Sequence, residues 1–335
     1  MVYFNASVVS IILTILLGVW LIPVLKKRKA KQVILEYVVE HSEKNGTPTM
    51  GGVIIIAATL ATSLLFCGVS IRPLITGIII AFGMGFIGFL DDFIKIFYKR
   101  NLGLKAYQKI ISQSVLGLVL AIYCCKYTNG EIFVPFLNKI VIIGNWTIPL
   151  VFISFIALVN TVNLTDGLDG LAATTSAEFL FGMVVVLAVM LFQSVQMNDI
   201  VATKENSAFL ILSVSLLGSL LAFLFFNAYP AKVFMGDTGS LFIGAMLTVI
   251  ATLTKNTLFI LCFGLPFVIS GLSDIIQVAY FKITKGKRVF KMAPFHHHLQ
   301  KSGIHENRIV KLYFIVSFVA ILITLSSFVG GIIWN

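Results

Sequence analysis

Long apolar runs, interrupted at intervals by short polar clusters, dominate the chain. A helix crosses the hydrocarbon of a bilayer with about 20 apolar residues. Runs of that kind lie at 4–25, 50–70, 73–90, 108–126, 146–162, 170–193, 207–226, 239–254, 257–281 and 310–333, those at 146–162 and 239–254 being short. Gly83, Gly85 and Gly88 in the third run would let neighbouring helices approach closely. No internal repeat, low-complexity tract or long soluble segment interrupts the pattern. It predicts an all-α integral membrane protein of about ten transmembrane helices, organised as a single domain over 1–335.

Composition agrees with a lipid-embedded chain. Of 335 residues, 58% are hydrophobic and 12% charged, against roughly 25% charged in soluble domains. So little polar surface cannot cover a water-facing shell. The net charge of +11 could suit a nucleic acid, but on a membrane chain it points to basic loops facing anionic lipid. Alternating the loops puts twenty Lys and Arg on one side, in 26–49, 91–109, Lys232 and 282–311. The other side has five: Arg72, Lys126, Lys139, Lys204 and Lys255. The positive-inside rule makes the first side cytoplasmic and places both termini on the outer face. The first apolar run has its basic residues after it, from Lys26 to Lys31. That is the reverse of a cleavable signal peptide, and the run is expected to stay in the bilayer. Cys67, Cys124, Cys125 and Cys262 have no metal-site or disulfide spacing and read as small core residues.

The unusual polar residues then fall on the cytoplasmic side, in loops about 26–49, 91–109, 163–169, 227–238 and 282–309. They are Gly46-Thr47-Pro48-Thr49-Met50-Gly51-Gly52, Asp91-Asp92, Asn163-Leu164-Thr165-Asp166-Gly167-Leu168-Asp169-Gly170, Phe234-Met235-Gly236-Asp237-Thr238-Gly239-Ser240 and His296-His297-His298. Lys and Arg alone set the orientation, so this convergence is independent of it and argues for one composite site. Five carboxylates, Asp91, Asp92, Asp166, Asp169 and Asp237, each end an apolar span. A carboxylate there costs a few kcal/mol unless compensated. A divalent cation and basic neighbours would relieve that cost, and oxygen-rich, thiol-free surroundings favour Mg2+ or Mn2+ over zinc. The alternative for each Asp is a helix cap. Adjacent helix residues point about 100° apart, so Asp91 and Asp92 cannot face one point equally. Lys95 stands at i+4 and i+3 from them, within reach of a helical salt bridge. Three consecutive histidines also diverge, so they cannot chelate one ion together. The phosphate-binding loop, the His-Glu-x-x-His zinc motif and the Rossmann glycine fingerprint are all missing from the sequence.

In their types and order these motifs resemble the polyprenyl-phosphate N-acetylhexosamine-1-phosphate transferase superfamily. Within it they resemble the branch whose donor is UDP-N-acetylmuramoyl-pentapeptide. The likeness covers nearly the whole chain. Its most discriminating stretches are Gly46–Gly52 and Lys291-Met292-Ala293-Pro294-Phe295-His296-His297-His298. The resemblance implies a bacterial cytoplasmic-membrane enzyme, often a homodimer, with a Mg2+-dependent site. It would transfer the donor's phosphosugar to undecaprenyl phosphate, giving lipid I and UMP, without nucleic-acid partners. By motif, Asp237 would ligate Mg2+, and Asp91 and Asp92 would act near the lipid phosphate or the diphosphate. Asn163, Asp166 and Asp169 would belong to the catalytic and nucleoside region, with Gly167 and Leu168 lining the uracil pocket. Phe234 would stack on uracil, and Asn227 and Gln277 would hydrogen-bond the donor. Lys44, Thr49, Lys95, Lys109, Ser240, His296 and His297 would surround phosphates or sugar. The chain departs from the family pattern at Leu299-Gln300, where Phe-Glu is usual, and at Gly303-Ile304, where Gly-Trp is usual. Those departures touch the muramoyl-peptide contacts more than the chemical step. Asp274, inside the ninth run, has no assigned role. The rivals are a sister transferase using UDP-N-acetylglucosamine and a transporter of lipid-linked intermediates, whose acids would serve ion coupling.

Overall fold

The computed structural model describes residues 1–27, 46–67, 72–98 and 103–333. Its helices are α1 (Val2–Lys27), α2 (Gly52–Cys67), α3 (Arg72–Phe97), α4 (Ala106–Thr128), α5 (Thr147–Thr165) and α6 (Leu171–Gln196). They continue as α7 (Ile200–Asn227), α8 (Gly236–Leu253), α9 (Phe259–Phe263), α10 (Leu265–Ile283), α11 (Phe295–Gln300) and α12 (Glu306–Ile333). Nine helices among the described residues are long and apolar enough to cross a membrane. The 16-residue α2 is the tenth expected span; at 1.5 Å per residue it is about 24 Å long, short of the full hydrocarbon thickness. The chain is therefore a multi-pass helical membrane protein.

Two departures from the sequence pattern have local causes. The ninth run is not one helix: it breaks between α9 and α10 at Gly264-Leu265-Pro266, because Pro266 has no N–H to extend a helix arriving from α9. The loop between α4 and α5 carries a hairpin, β1 (Glu131–Val134) against β2 (Lys139–Ile142), antiparallel with Glu131 opposite Ile142. Both strands are rich in β-branched residues. The hairpin is fastened to the bundle by the Glu131–Lys255 ion pair at 2.5 Å and by Phe133 against Phe259 and Phe328.

The short run at 239–254 forms the centre of the molecule. From Thr238 to Leu253 every residue of α8 is buried, as expected of a helix that is apolar all round and enclosed by others. α3 and α5 flank it, and α2 and α6 also touch it. Glycines permit the closest contacts. A Cβ on Gly88 would lie 2.2 Å from the Asp237 carbonyl oxygen, and one on Gly52 would lie 2.2 Å from the Gly239 Cα. Gly85 faces Phe242 of α8, whereas Gly83 faces Leu116 of α4. These approaches bring the end of α3 and the start of α2 to the first turn of α8. Elsewhere small polar residues fasten helices, as between α1 and α7, where Thr14 Oγ1 donates to Ser219 Oγ at 2.9 Å and Ser10 Oγ to the Ser215 carbonyl. The four cysteines are free.

Candidate active site

The site is built where α3 ends and α8 begins. Asp91 and Asp92 leave α3 in different directions, as their 100° separation requires. Asp91 is fully buried. Its Oδ2 pairs with Lys95 at 2.5 Å, and its Oδ1 pairs with Lys109 at 3.0 Å and accepts from the Leu104 N–H at 2.7 Å. Asp92 faces α8 instead. Its Oδ2 accepts from the Thr238 N–H at 2.9 Å and the Thr238 hydroxyl at 2.7 Å, and its Oδ1 from the Asp237 N–H at 3.3 Å. These are donors that the first turn of a helix cannot satisfy internally. Asp92 is thus an N-terminal cap supplied from another helix.

Asp237 occupies that first turn. Its Oδ2 meets Lys109 at 2.6 Å and Lys95 at 3.2 Å, and its Oδ1 accepts from the Asn163 side-chain amide at 2.9 Å. Asn163 also bonds Ser240 Oγ at 2.8 Å. One network therefore joins Asp91, Asp92, Lys95, Lys109, Asn163, Asp237 and Ser240. Oxygen atoms of Asp91, Asp92 and Asp237 lie within 4.8 Å of one another, close enough to hold a cation. The donors are all carboxylate oxygens, which suits a hard divalent ion. Three carboxylates against two lysines also leave negative charge for such an ion to neutralise. Among the three, Asp237 has the most accessible side chain, 16% exposed against 0% for Asp91 and 4% for Asp92.

Loops from four other segments surround the network. The buried Thr49 lies beside Gly236, whose φ of 73° is one that a residue with a side chain rarely adopts. A Cβ there would sit 2.7 Å from Thr49 Oγ1 and 2.5 Å from Asp92 Oδ2. Phe234 is fixed through its main chain: its N–H donates to the Pro48 carbonyl at 2.8 Å and its carbonyl accepts from Gly51 at 2.9 Å. Asn227 donates to the Val233 carbonyl at 3.0 Å. Asp169 accepts from the Ala231 N–H at 2.9 Å. Tight packing around Asp166, together with the negative Asp237, Asp92 and Asp169, raises its pKa well above the usual carboxylate range.

The histidines diverge as their consecutive positions require. His296 is fully buried, with its ring 4.3 Å from that of His297 and 6.4 Å from that of Tyr313. Burial, and secondarily His297, holds its pKa well below the usual value, so it is a neutral imidazole. Gly167 lies against it: a Cβ there would come within 2.6 Å of His296 Nε2 and 3.0 Å of His297 Nε2. His297 shares a hydrogen bond with Gln300 at 3.2 Å, and His298 accepts from the Lys291 N–H at 3.1 Å. Leu168 is buried in a small apolar cluster with Leu171, Ile309 and Tyr313.

Two expected site residues stand apart. Gln277 commits its side chain to main chain, accepting from Val289 and Phe290 and donating to the Phe290 carbonyl at 3.1 Å. Lys44 lies outside the described residues. Two contributors carried no individual signal. Thr238 adds its hydroxyl to the Asp92 cap, and Glu306 accepts from the Asp169 N–H. A carboxylate opening an apolar run, as Glu306 does, reads by itself as a cap of its own helix.

Comparison with known proteins gives a consistent result. Glycosyl transferase family 4 matches residues 74–255, and the phospho-N-acetylmuramoyl-pentapeptide-transferase signature 1 matches residues 44–56. A phospho-N-acetylmuramoyl-pentapeptide-transferase of Clostridioides difficile (strain 630) is 42% identical over 93% of this chain and 94% of its own length. Proteins of the same name from Thermoanaerobacter sp. (strain X514) and Clostridium perfringens (strain 13 / Type A) are 40% and 41% identical, each over 96% of this chain and 97% of their own length.

Proposed function

Because the chain belongs to the phospho-N-acetylmuramoyl-pentapeptide-transferase family, we propose that it transfers phospho-N-acetylmuramoyl-pentapeptide from the UDP-linked donor to undecaprenyl phosphate. The products are lipid I and UMP, in the first membrane step of peptidoglycan synthesis. The observation that carries the reading is the single network of Asp91, Asp92, Asp237, Lys95, Lys109 and Asn163, formed from helices distant in sequence at one end of the bundle. The twenty-to-five split of basic residues supports a cytoplasmic position for that end, where a soluble nucleotide is available.

In this reaction an oxygen of the lipid phosphate forms a bond to the donor's β-phosphorus. The bond from that phosphorus to the bridging oxygen breaks, and UMP departs with the electron pair. Two anions must be brought together in line, so positioning and charge neutralisation carry most of the catalysis. Asp237, the accessible carboxylate of the three, would hold Mg2+ with an oxygen of its side chain. When bound, Mg2+ supplies positive charge to the diphosphate and the leaving UMP. Asn163, itself bonded to Ser240, fixes the orientation of Asp237, and Asp92 fixes the helix end that carries it. Asp91 anchors Lys95 and Lys109, whose partly exposed side chains would meet the incoming phosphates. A phosphate monoester is already largely ionised near neutral pH, so the lipid nucleophile needs no strong base. Asp166, Gly167, Leu168, Asp169, Asn227 and Phe234 form the nucleoside end of the site. Thr49, Lys44, His296 and His297 serve the sugar and phosphates.

The test is UMP release by detergent-solubilised protein supplied with undecaprenyl phosphate and Mg2+. Release with UDP-N-acetylmuramoyl-pentapeptide and little with UDP-N-acetylglucosamine is the expected result. Equal or better use of UDP-N-acetylglucosamine would overturn the donor assignment. No release with either would favour a transporter. Sizing by light scattering in the same detergent tests the homodimer that the family implies.

A further inference from the structure

Asp169 is held by two residues, both outside the motifs of the site. Its carboxylate accepts from the Ala231 N–H at 2.9 Å, which ties the turn between α5 and α6 to the segment between α7 and α8. Its own N–H donates to the Glu306 carboxylate at the start of α12. Both Asp169 and Glu306 are buried, at 5% and 6% exposure. The neighbouring His305 ring stands edge-on to Tyr229 at 5.3 Å. The start of α12 therefore touches both loops that flank the nucleoside end, and those loops touch each other through Asp169. Beneath this ring of contacts, Leu168, Leu171, Ile309 and Tyr313 form an apolar cluster with Phe295, Leu299 and Ile304 packed on it. The cluster presses α11 and α12 onto the turn, and the hydrogen bond from the Asp169 N–H to Glu306 adds direction to that contact.

We propose that Glu306 is a positioning residue for the nucleotide. Its carboxylate holds the Asp169 main chain so that the Asp169 side chain stays aligned with the 228–235 segment and Phe234. The inference rests on the reading of this end of the site as the uridine pocket. A buried N–H that loses its acceptor rebuilds its surroundings to find another. Here such a rebuilding would shift the turn that carries Asp166, Gly167 and Asp169 together. The Glu306 carboxylate meets the Asp169 main chain at the nucleoside end, so its loss should weaken nucleotide binding and leave the chemical step largely intact. If Glu306 served only as a cap of α12, its loss would lower stability without changing nucleotide affinity.

The experiment is calorimetric titration of UMP into the full-length detergent-solubilised protein, with steady-state kinetics on the UDP-linked muramoyl donor alongside. Glu306→Ala should weaken UMP binding about tenfold and raise the donor KM by a similar factor, with kcat within about threefold of the parent. Glu306→Gln keeps an oxygen that accepts from the Asp169 N–H and should stay within about twofold on both measures. Unchanged UMP affinity in Glu306→Ala overturns the proposal. So does an equal loss in both variants, which would mean that charge and not the accepted bond matters. If Glu306→Ala does not accumulate as folded protein, Glu306→Asp, one methylene short, is judged by the same criteria. Failure of the underlying reading is visible in the parent protein alone. A parent that binds no UMP overturns both; one that binds UMP but does not use the muramoyl donor overturns the donor assignment and leaves the Glu306 result to stand or fall on UMP affinity.

Discussion

Replacing Asp92 with alanine removes the cap of α8 from a helix it does not belong to. The Asp237 and Thr238 N–H groups and the Thr238 hydroxyl would lose the acceptors they meet at 3.3, 2.9 and 2.7 Å. Asp92 is 3% exposed and α8 is enclosed on all sides, so water cannot readily take over. An orphaned buried donor costs about 1–3 kcal/mol, and loss of a negative charge from a helix N-terminus about 1 kcal/mol. Local relaxation recovers part of the sum, which leaves about 3 kcal/mol of destabilisation. Asp92→Asn retains one carbonyl oxygen for Thr238 and should lose about 1 kcal/mol. Activity should follow the same order. Asp237 sits on the loosened turn, and a displacement of about 1 Å at such a position lowers turnover on the order of 100-fold. Unfolding in detergent, followed by tryptophan fluorescence, and UMP release would be measured on the same preparations. If Asp92→Ala unfolds with the parent protein while its Mg2+ requirement rises, Asp92 is a cation ligand and the capping argument is wrong.

Asp237→Asn should lower kcat about 1,000-fold, the scale of losing a principal charge-stabilising group, while the protein stays folded because the new amide still accepts from Asn163. Near-parental turnover across a Mg2+ titration would refute the metal assignment. Removal of divalent ions with a chelator should abolish UMP release, and Mg2+ should restore it; activity that survives chelation counts against a required cation. In a cysteine-free background, single cysteines at Ser302 and Asn129 should be labelled from opposite sides of intact cells, Ser302 from inside. The reverse pattern would invert the topology. His297→Ala should reduce kcat/KM for the muramoyl donor about tenfold with circular dichroism unchanged, and an unaltered value would remove His297 from the donor site.

What could be read from the sequence, and what could not, divides along physical lines. A membrane span is a local property, fixed by the length and polarity of one run, so all ten spans have counterparts, including the short runs that became α5 and α8. The gathering of motifs at one end also follows from local facts, since alternation of spans decides which loops share a side. The division of labour inside the acidic doublet does not. Helical geometry says that Asp91 and Asp92 diverge, and the i+4 spacing suggests the Lys95 pair found at 2.5 Å. That Asp92 turns to the first turn of α8 depends on Gly88 and Gly52 admitting that helix at close range; Gly88, one turn before Asp92, signals a close approach but does not say which helix makes it. Gln277 shows the same limit in reverse. Its motif position suggests a contact to substrate, yet its amide closes the 289–290 segment. Glu306 is the extreme case. Its partner is a main-chain N–H 137 residues away, and every residue except proline offers one, so side-chain types cannot reveal the pairing. Residues that touch a charged substrate leave a chemical signature in the sequence. Residues that hold main chain in place leave one only when the chain has folded around them.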